Sequence, residues 1–228
     1  MSALTQLQEE ITRCRKCPRL VRYRERVAAE KRRSFRECAY WGKPVPGFGD
    51  PHAQLLILGL APAAHGGNRT GRVFTGDRSG DFLYKALYRA GFANQPNSTG
   101  RGDGLKLMNC YIAAAARCAP PGNKPLPSEL ANCRPYLERE LELIRPRAIL
   151  ALGGIALRAY LGILKDRGEI ASLAAYPFRH AAAYEVAGNL PRIFASYHPS
   201  QQNTFTGRLT DAMLVQVLRD IRRFLSRS

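Results

Sequence analysis

The chain has 228 residues, enough for one core with elaborations, and its 45% apolar and 23% charged residues exclude general disorder. Thirty-five Lys and Arg against 18 Asp and Glu leave a net charge of +17, which draws a protein to polyanions: nucleic acid or an anionic membrane face. The longest apolar runs, such as Leu55–Leu60 and Cys110–Ala116, are too short to cross a bilayer. The opening MSALTQLQEEITRC lacks the basic-then-apolar order of a signal peptide. A cytoplasmic chain is therefore expected, in which six cysteines serve as metal ligands or free thiols rather than disulfides.

Residues 1–50 precede the first strand pattern and are expected to form a helical extension. Between Arg13 and Arg36 stand eleven Lys or Arg and two acids, Glu25 and Glu30, a net +9. Such a run is either a solvated helix face or a nucleic-acid contact, and the residues alone leave both open. Four apolar runs then predict buried strands: Gln54–Gly59, Leu107–Ala113, Arg147–Gly153 and Ile193–Tyr197. They are near-continuous rather than alternating, as in a sheet covered on both faces. Helical stripes lie among them. Phe82, Leu83, Ala86, Leu87 and Ala90 make one, with Ser79 as a candidate cap and Gly91 as a stop. Leu130, Cys133, Leu137, Leu141 and Ile144 make another, ending before Pro146. Ile155–Leu164 is a third, and Thr210 to Phe224 the last. Strand–helix alternation predicts a single domain over 1–228, a three-layer α/β/α sandwich on a parallel sheet.

Three constellations carry chemistry. Cys14 and Cys17 form C-x-x-C in a stretch read as helical, and Cys118 and Cys133 follow about a hundred residues on. Together they can supply four thiolates to one metal centre and tie the extension to the body; spacing does not separate zinc from iron–sulfur. Cys110 lies inside a strand pattern and reads as core, and Cys38 is left over. The second constellation, GLAPAAHGGNRTGRVFTGD over 59–77, directly follows a strand, where open α/β sheets bind ligands. Its glycines permit close backbone approach, and Arg69 and Arg72 are placed to meet a phosphate. It is neither a P-loop nor G-x-G-x-x-G. Asp77 is also in position to cap a helix. The third, SYHPSQQNTFTGR over 196–208, follows the last strand. His198 there is a better site candidate than His52 or His180, and the donors and acceptors after it suit a loop that grips DNA.

These three motifs and the interleaved cysteines resemble the type-B (family 5) branch of the uracil-DNA glycosylase superfamily. The resemblance runs from Cys14 to the final helix and rests on GLAP-x-x-HG-x-NRTGR-x-FTGD, RCAPP-x-NKP (Arg117–Pro125) and SYHPS-x-QNT-x-TGRLT. It implies a central four-stranded parallel sheet and a four-iron, four-sulfur cluster on Cys14, Cys17, Cys118 and Cys133. It also implies a monofunctional hydrolase that flips uracil and other deaminated bases out of DNA, cuts the N-glycosidic bond and leaves an abasic site. Mapped onto this chain, Phe74 stacks on the flipped ring and Asn123 reads its edge. The backbone at Ala63 and Ala64 contacts base or water. His198 donates to the charge developing on the leaving base, and Asp77 orients water or faces the cationic sugar. Ser200, Gln202, Asn203 and Arg208 hold the DNA. Other branches carry an acid or amide near Ala63 and Ala64, so catalysis here leans on the leaving group. The resemblance implies DNA as partner, no membrane and a monomer. The alternative is a non-catalytic iron–sulfur or zinc module that grips DNA with the same loops.

Overall fold

The structure, a computed structural model, describes residues 1–227. Its sheet has six strands: β1 (Phe48–Gly49), β2 (Leu55–Gly59), β3 (Cys110–Ala114), β4 (Ala148–Leu152), β5 (Ala183–Tyr184) and β6 (Arg192–Ser196), in the order β1-β3-β2-β4-β6-β5. The inner four are parallel and the two outer ones antiparallel. The expected four-stranded parallel sheet is thus the centre of a larger mixed one. The flanking strands have two residues each, too short to leave any periodicity in sequence. The strand read as starting at Leu107 starts at Cys110, and Leu107 makes an isolated bridge to Ala93 instead.

Every residue of β2, β3 and β4 is buried, which explains the unbroken apolar runs. Alternate side chains feed two cores. Leu55, Ile57, Ile112 and Leu150 pack with Leu83 and Leu87 of α4 (Arg78–Arg89) and Leu214, Leu218 and Ile221 of α8 (Asp211–Leu225). Leu56, Leu58, Tyr111 and Ile149 pack with Leu137 of α5 (Pro127–Ile144) and Leu157, Tyr160 and Leu161 of α6 (Gly154–Asp166). Asp77, not Ser79, caps α4, its carboxylate accepting the Gly80 N–H at 3.0 Å. Short helices α3 (Gly67–Thr70) and α7 (Gln201–Phe205) lie in the loops after β2 and β6.

The extension forms α1 (Ala3–Arg13) and α2 (Pro18–Glu30). The C-x-x-C is the joint between them rather than helix: Cys14 ends α1, Cys17 precedes α2, and Pro18 opens α2 without needing its missing N–H. Leu7 and Ile11 of α1 bury against Tyr136 of α5. Inside this seam lies an ion pair between Arg117 and Glu140, 1% and 0% exposed. Arg117 Nη1 donates to Glu140 at 3.1 Å, and the Tyr111 hydroxyl donates to the same carboxylate at 3.2 Å. No helix among the described residues is long and apolar enough to cross a membrane.

Candidate active site

The carboxyl ends of β2, β3 and β6 open into loops that meet above the sheet. A cavity of about 460 Å³ lies there, lined by Leu60–Ala63, Phe74, Asp77, Asn123, His198, Ser200 and Gln202 among others. Chain segments more than a hundred residues apart therefore converge on one space. A wider groove of about 840 Å³ adjoins it, sharing Ala63, Asp77 and Asn123 and adding Ala64, His65, Arg69 and Arg78, with Tyr23, Arg32 and Phe35 of the extension. A tight pocket beside a cation-lined groove suits one planar group drawn from a polyanion.

Phe74 has φ +50° and Asn123 φ +56°. Asn tolerates this left-handed region, but a bulky aromatic there is strained. The ring of Phe74 lies over Gly59, where a Cβ would sit within 2.8 Å of it, so only glycine at the end of β2 admits the aromatic. Asn123 ends a short 3₁₀ turn, Pro121–Asn123, and is exposed. Arg19 of α2 donates to the Lys124 carbonyl beside it at 3.2 Å and clasps Glu129 at 2.8 and 2.7 Å.

His198 follows β6. Its ring lies 5.6 Å from that of Phe74, tilted by 32°. Asn203 Nδ2 donates to the His198 carbonyl at 2.8 Å, and the Tyr197 N–H donates to His180 Nδ1 at 3.4 Å while the two rings stack 5.1 Å apart. Desolvation drops the His198 pKa to about 4, so its imidazole is neutral at pH 7 and carries one N–H. Asp77 is pushed the other way, above the usual carboxylate range, by desolvation against the opposing Gly80 N–H. A neutral donor and a destabilised carboxylate on one cavity suit a reaction that builds negative charge on a leaving group and positive charge beside it.

One position differs from the sequence reading. Arg72 is 4% exposed and bound to Asp103, turned away from any phosphate. Asn203 Nδ2 is bonded to the His198 backbone, and the exposed Arg208 lies 4.5 Å over the Tyr197 ring. Arg32 belongs to the basic run over 13–36 whose charge already pointed to a nucleic-acid contact or a solvated face, whereas Tyr23 and Phe35 left no signal, because only the tertiary docking of the extension brings them there.

Four cysteines lie near one another, Cys14 at the end of α1, Cys17 before α2, Cys118 after β3 and Cys133 in α5. Ionisation of Cys118 is opposed by neighbouring Cys133 and Cys14, and that of Cys133 by Cys17 and Cys14; none of the four is in a disulfide. Arg24, 2% exposed, donates to Cys118 Sγ at 2.9 Å and to the Cys14 carbonyl at 3.3 Å. Burial pushes the Cys118 thiol up to about 12 against that guanidinium. Among the described residues no three His, Cys, Asp or Glu stand as the ligands of one metal ion. Asn68, wholly buried, donates to the Arg24 carbonyl at 3.2 Å and to Ala64 at 3.4 Å, linking the thiols to the cavity loop.

Residues 46–222 match the model of the uracil DNA glycosylase superfamily. Type-5 uracil-DNA glycosylase of Mycobacterium leprae is 49% identical over 97% of this chain and 95% of its own length. That of Thermus thermophilus is 51% identical over 94% and 95%. A Type-4 uracil-DNA glycosylase of Pyrobaculum aerophilum is 32% identical over 73% and 68%.

Proposed function

This chain belongs to the uracil-DNA glycosylase superfamily and hydrolyses the N-glycosidic bond of uracil in DNA as a repair enzyme, and from that premise we propose how its own residues carry the reaction. We place it in the family-5, type-B branch. The carrying observation is the convergence of Phe74, Asn123, Asp77 and His198 on one cavity of about 460 Å³.

The groove holds the DNA backbone and the target nucleotide swings into the cavity, since a stacked base is out of reach. Phe74 takes one face of the uracil ring. The Asn123 amide, donor and acceptor together, matches the edge that differs between uracil and cytosine. As the bond from C1′ to the base breaks, its electron pair leaves with the base and the sugar becomes oxocarbenium-like. His198 donates its N–H to the base oxygen that gains this charge. Asp77 faces the cationic sugar and orients the water that adds to C1′, whose proton passes to solvent. Ser200 and Gln202 bind DNA at the cavity rim. Asn203 and the exposed Arg208 join them, Asn203 also holding the His198 carbonyl.

A four-iron, four-sulfur cluster on Cys14, Cys17, Cys118 and Cys133 fits this chain. Four unpaired cysteines, at the end of α1, the start of α2, the loop after β3 and within α5, lie near one another, a donor set that offers one thiolate to each of four irons. The buried guanidinium of Arg24, whose Nε finds no partner among the described residues, suits a site that carries negative charge. When bound, the cluster supplies a cross-link between the extension and the body. Other deaminated bases as substrates belong to the same reading.

The test is single-turnover excision by the purified protein from duplexes carrying uracil, hypoxanthine, xanthine or cytosine. Uracil release with cytosine refused is expected, and Asn123→Asp should alter the choice among bases. Equal release of every base would overturn the role given to Asn123.

A further inference from the structure

Arg72 is inside the molecule, and what it does there leads back to Phe74. Its Nη1 meets both carboxylate oxygens of Asp103 at 2.8 and 2.9 Å and Ser98 Oγ at 3.0 Å. Ser98 Oγ lies 2.6 Å from Thr75 Oγ1, and Thr75 donates to the Val73 carbonyl at 3.2 Å. A guanidinium only donates and a hydroxyl has one proton. Thr75 has used its proton on Val73, so Ser98 must donate to Thr75 and accept from Arg72. The protons of the relay all point one way, towards the peptide group that leads into Phe74. The Tyr84 hydroxyl donates to the same Val73 carbonyl at 2.9 Å, filling the second lone pair. On the other side of Phe74, Thr70 donates to the Thr75 carbonyl at 3.1 Å, and the Phe74 carbonyl lies against Gly80, where any Cβ would collide.

The peptide group entering Phe74 is therefore held by two hydrogen bonds, the one leaving it is wedged against Gly80, and the next is tied by Thr70. Tyr84 and Thr75 are 0% exposed and Ser98 4%, so these bonds compete with no water. The clamp explains how an aromatic residue persists at φ +50°, a conformation that survives only where its surroundings over-determine it.

We propose that Thr75, Ser98 and Tyr84, backed by the Arg72–Asp103 pair, are positioning residues that hold Phe74 in its left-handed conformation and so fix the ring as a platform ready for the flipped base. This rests on the reading of Phe74 as that platform. A platform set before binding spares the base the cost of ordering it. Stacking acts alike on bound substrate and transition state, so its loss raises KM and leaves kcat nearly unchanged.

The experiment measures kcat and KM for a uracil-containing duplex in Phe74→Ala, in Thr75→Val with Tyr84→Phe, and in all three changes combined. Phe74→Ala is expected to raise KM about tenfold or more. The Thr75→Val, Tyr84→Phe pair should raise KM about five- to tenfold with kcat within about twofold, and Thr75→Ser should restore the parent value. With Phe74 already Ala, the pair should add nothing further. If the pair raises KM equally whether or not Phe74 is present, or leaves KM unchanged beside a defective Phe74→Ala, the inference is overturned while the platform stands. If Phe74→Ala itself keeps the parent KM, the platform reading fails and takes the inference with it. Should the paired variant not fold, Ser98→Ala cuts the relay one link earlier and is read against the same outcomes.

Discussion

A histidine with its pKa near 4 cannot be an acid that works by giving up a proton at neutral pH. It acts as a neutral hydrogen-bond donor, and two expectations separate that role from general acid catalysis. His198→Ala should slow single-turnover excision by about 10²–10³, the usual loss for one donor aimed at transition-state charge, with DNA binding nearly unchanged. The parent rate should show no decline as pH rises through 6.5, where an ordinary imidazolium would be lost. Stability has the opposite slope. The unfolded chain takes up a proton at His198 near pH 6.5, and the fold refuses it until about 4. This contribution is whole above pH 6.5 and fades as pH falls towards 4, so His198→Ala should flatten the acid side of a melting-temperature profile. Asp77 has two duties that substitution can part. Asp77→Asn keeps a side-chain acceptor for the Gly80 N–H and should melt near the parent while excision slows. Asp77→Ala should also cost about 1 kcal/mol by removing the cap of α4. Equal excision by Asp77→Asn and the parent would confine Asp77 to capping.

Between elements, the seam of α1, β3 and α5 depends on one buried ion pair. Glu140→Gln leaves the Arg117 guanidinium buried without its counter-charge, which typically costs about 3–5 kcal/mol; urea unfolding should show a lower midpoint with an unchanged slope. This pair is invisible in sequence, where Arg117 is part of RCAPP and Glu140 a polar position beside a helix stripe. What pattern can reveal is whatever repeats or caps: the four inner strands, α4, α5, α6 and α8 are legible within a few residues. The edge strands are not, since Phe48–Gly49 and Ala183–Tyr184 are defined only by their neighbours' hydrogen bonds. Asp77 and His198 are singled out by their loops directly after strands, whereas Phe74 and Asn123 enter only through the family resemblance; the cavity brings all four together. The fate of Arg72 is not legible, because whether an arginine meets solvent or a carboxylate 31 positions away is decided by tertiary folding.

For the molecule as a whole, the basic segment divides into two populations. Arg15, Arg19 and Arg24 are held by Glu25, Glu129 and Cys118, whereas Arg32 faces the groove. Neutralising Arg32 with Arg69 or Arg78, the other groove cations, should lower the slope of log affinity against log salt on any DNA sequence, by roughly 0.9 for each phosphate left without its cation. Neutralising Arg15 should leave the slope alone. The thiol site makes a separate forecast: iron and sulfide in the isolated protein, and in Cys118→Ala loss of visible absorption together with a lower melting temperature. A zinc-loaded, colourless, active protein would contradict it. The docking of α1 on α5 bears also on biosynthesis. Leu7 and Ile11 are translated more than a hundred residues before Tyr136, their partner. At about 5–20 residues per second they wait roughly 6–26 seconds uncovered, on a helix of 11 residues, too short to hold in water alone. The helix that carries Leu7 and Ile11 is thus made well before the partner that secures it, and during that interval the net +9 segment over 13–36 emerges beside ribosomal RNA, the nearest polyanion to it.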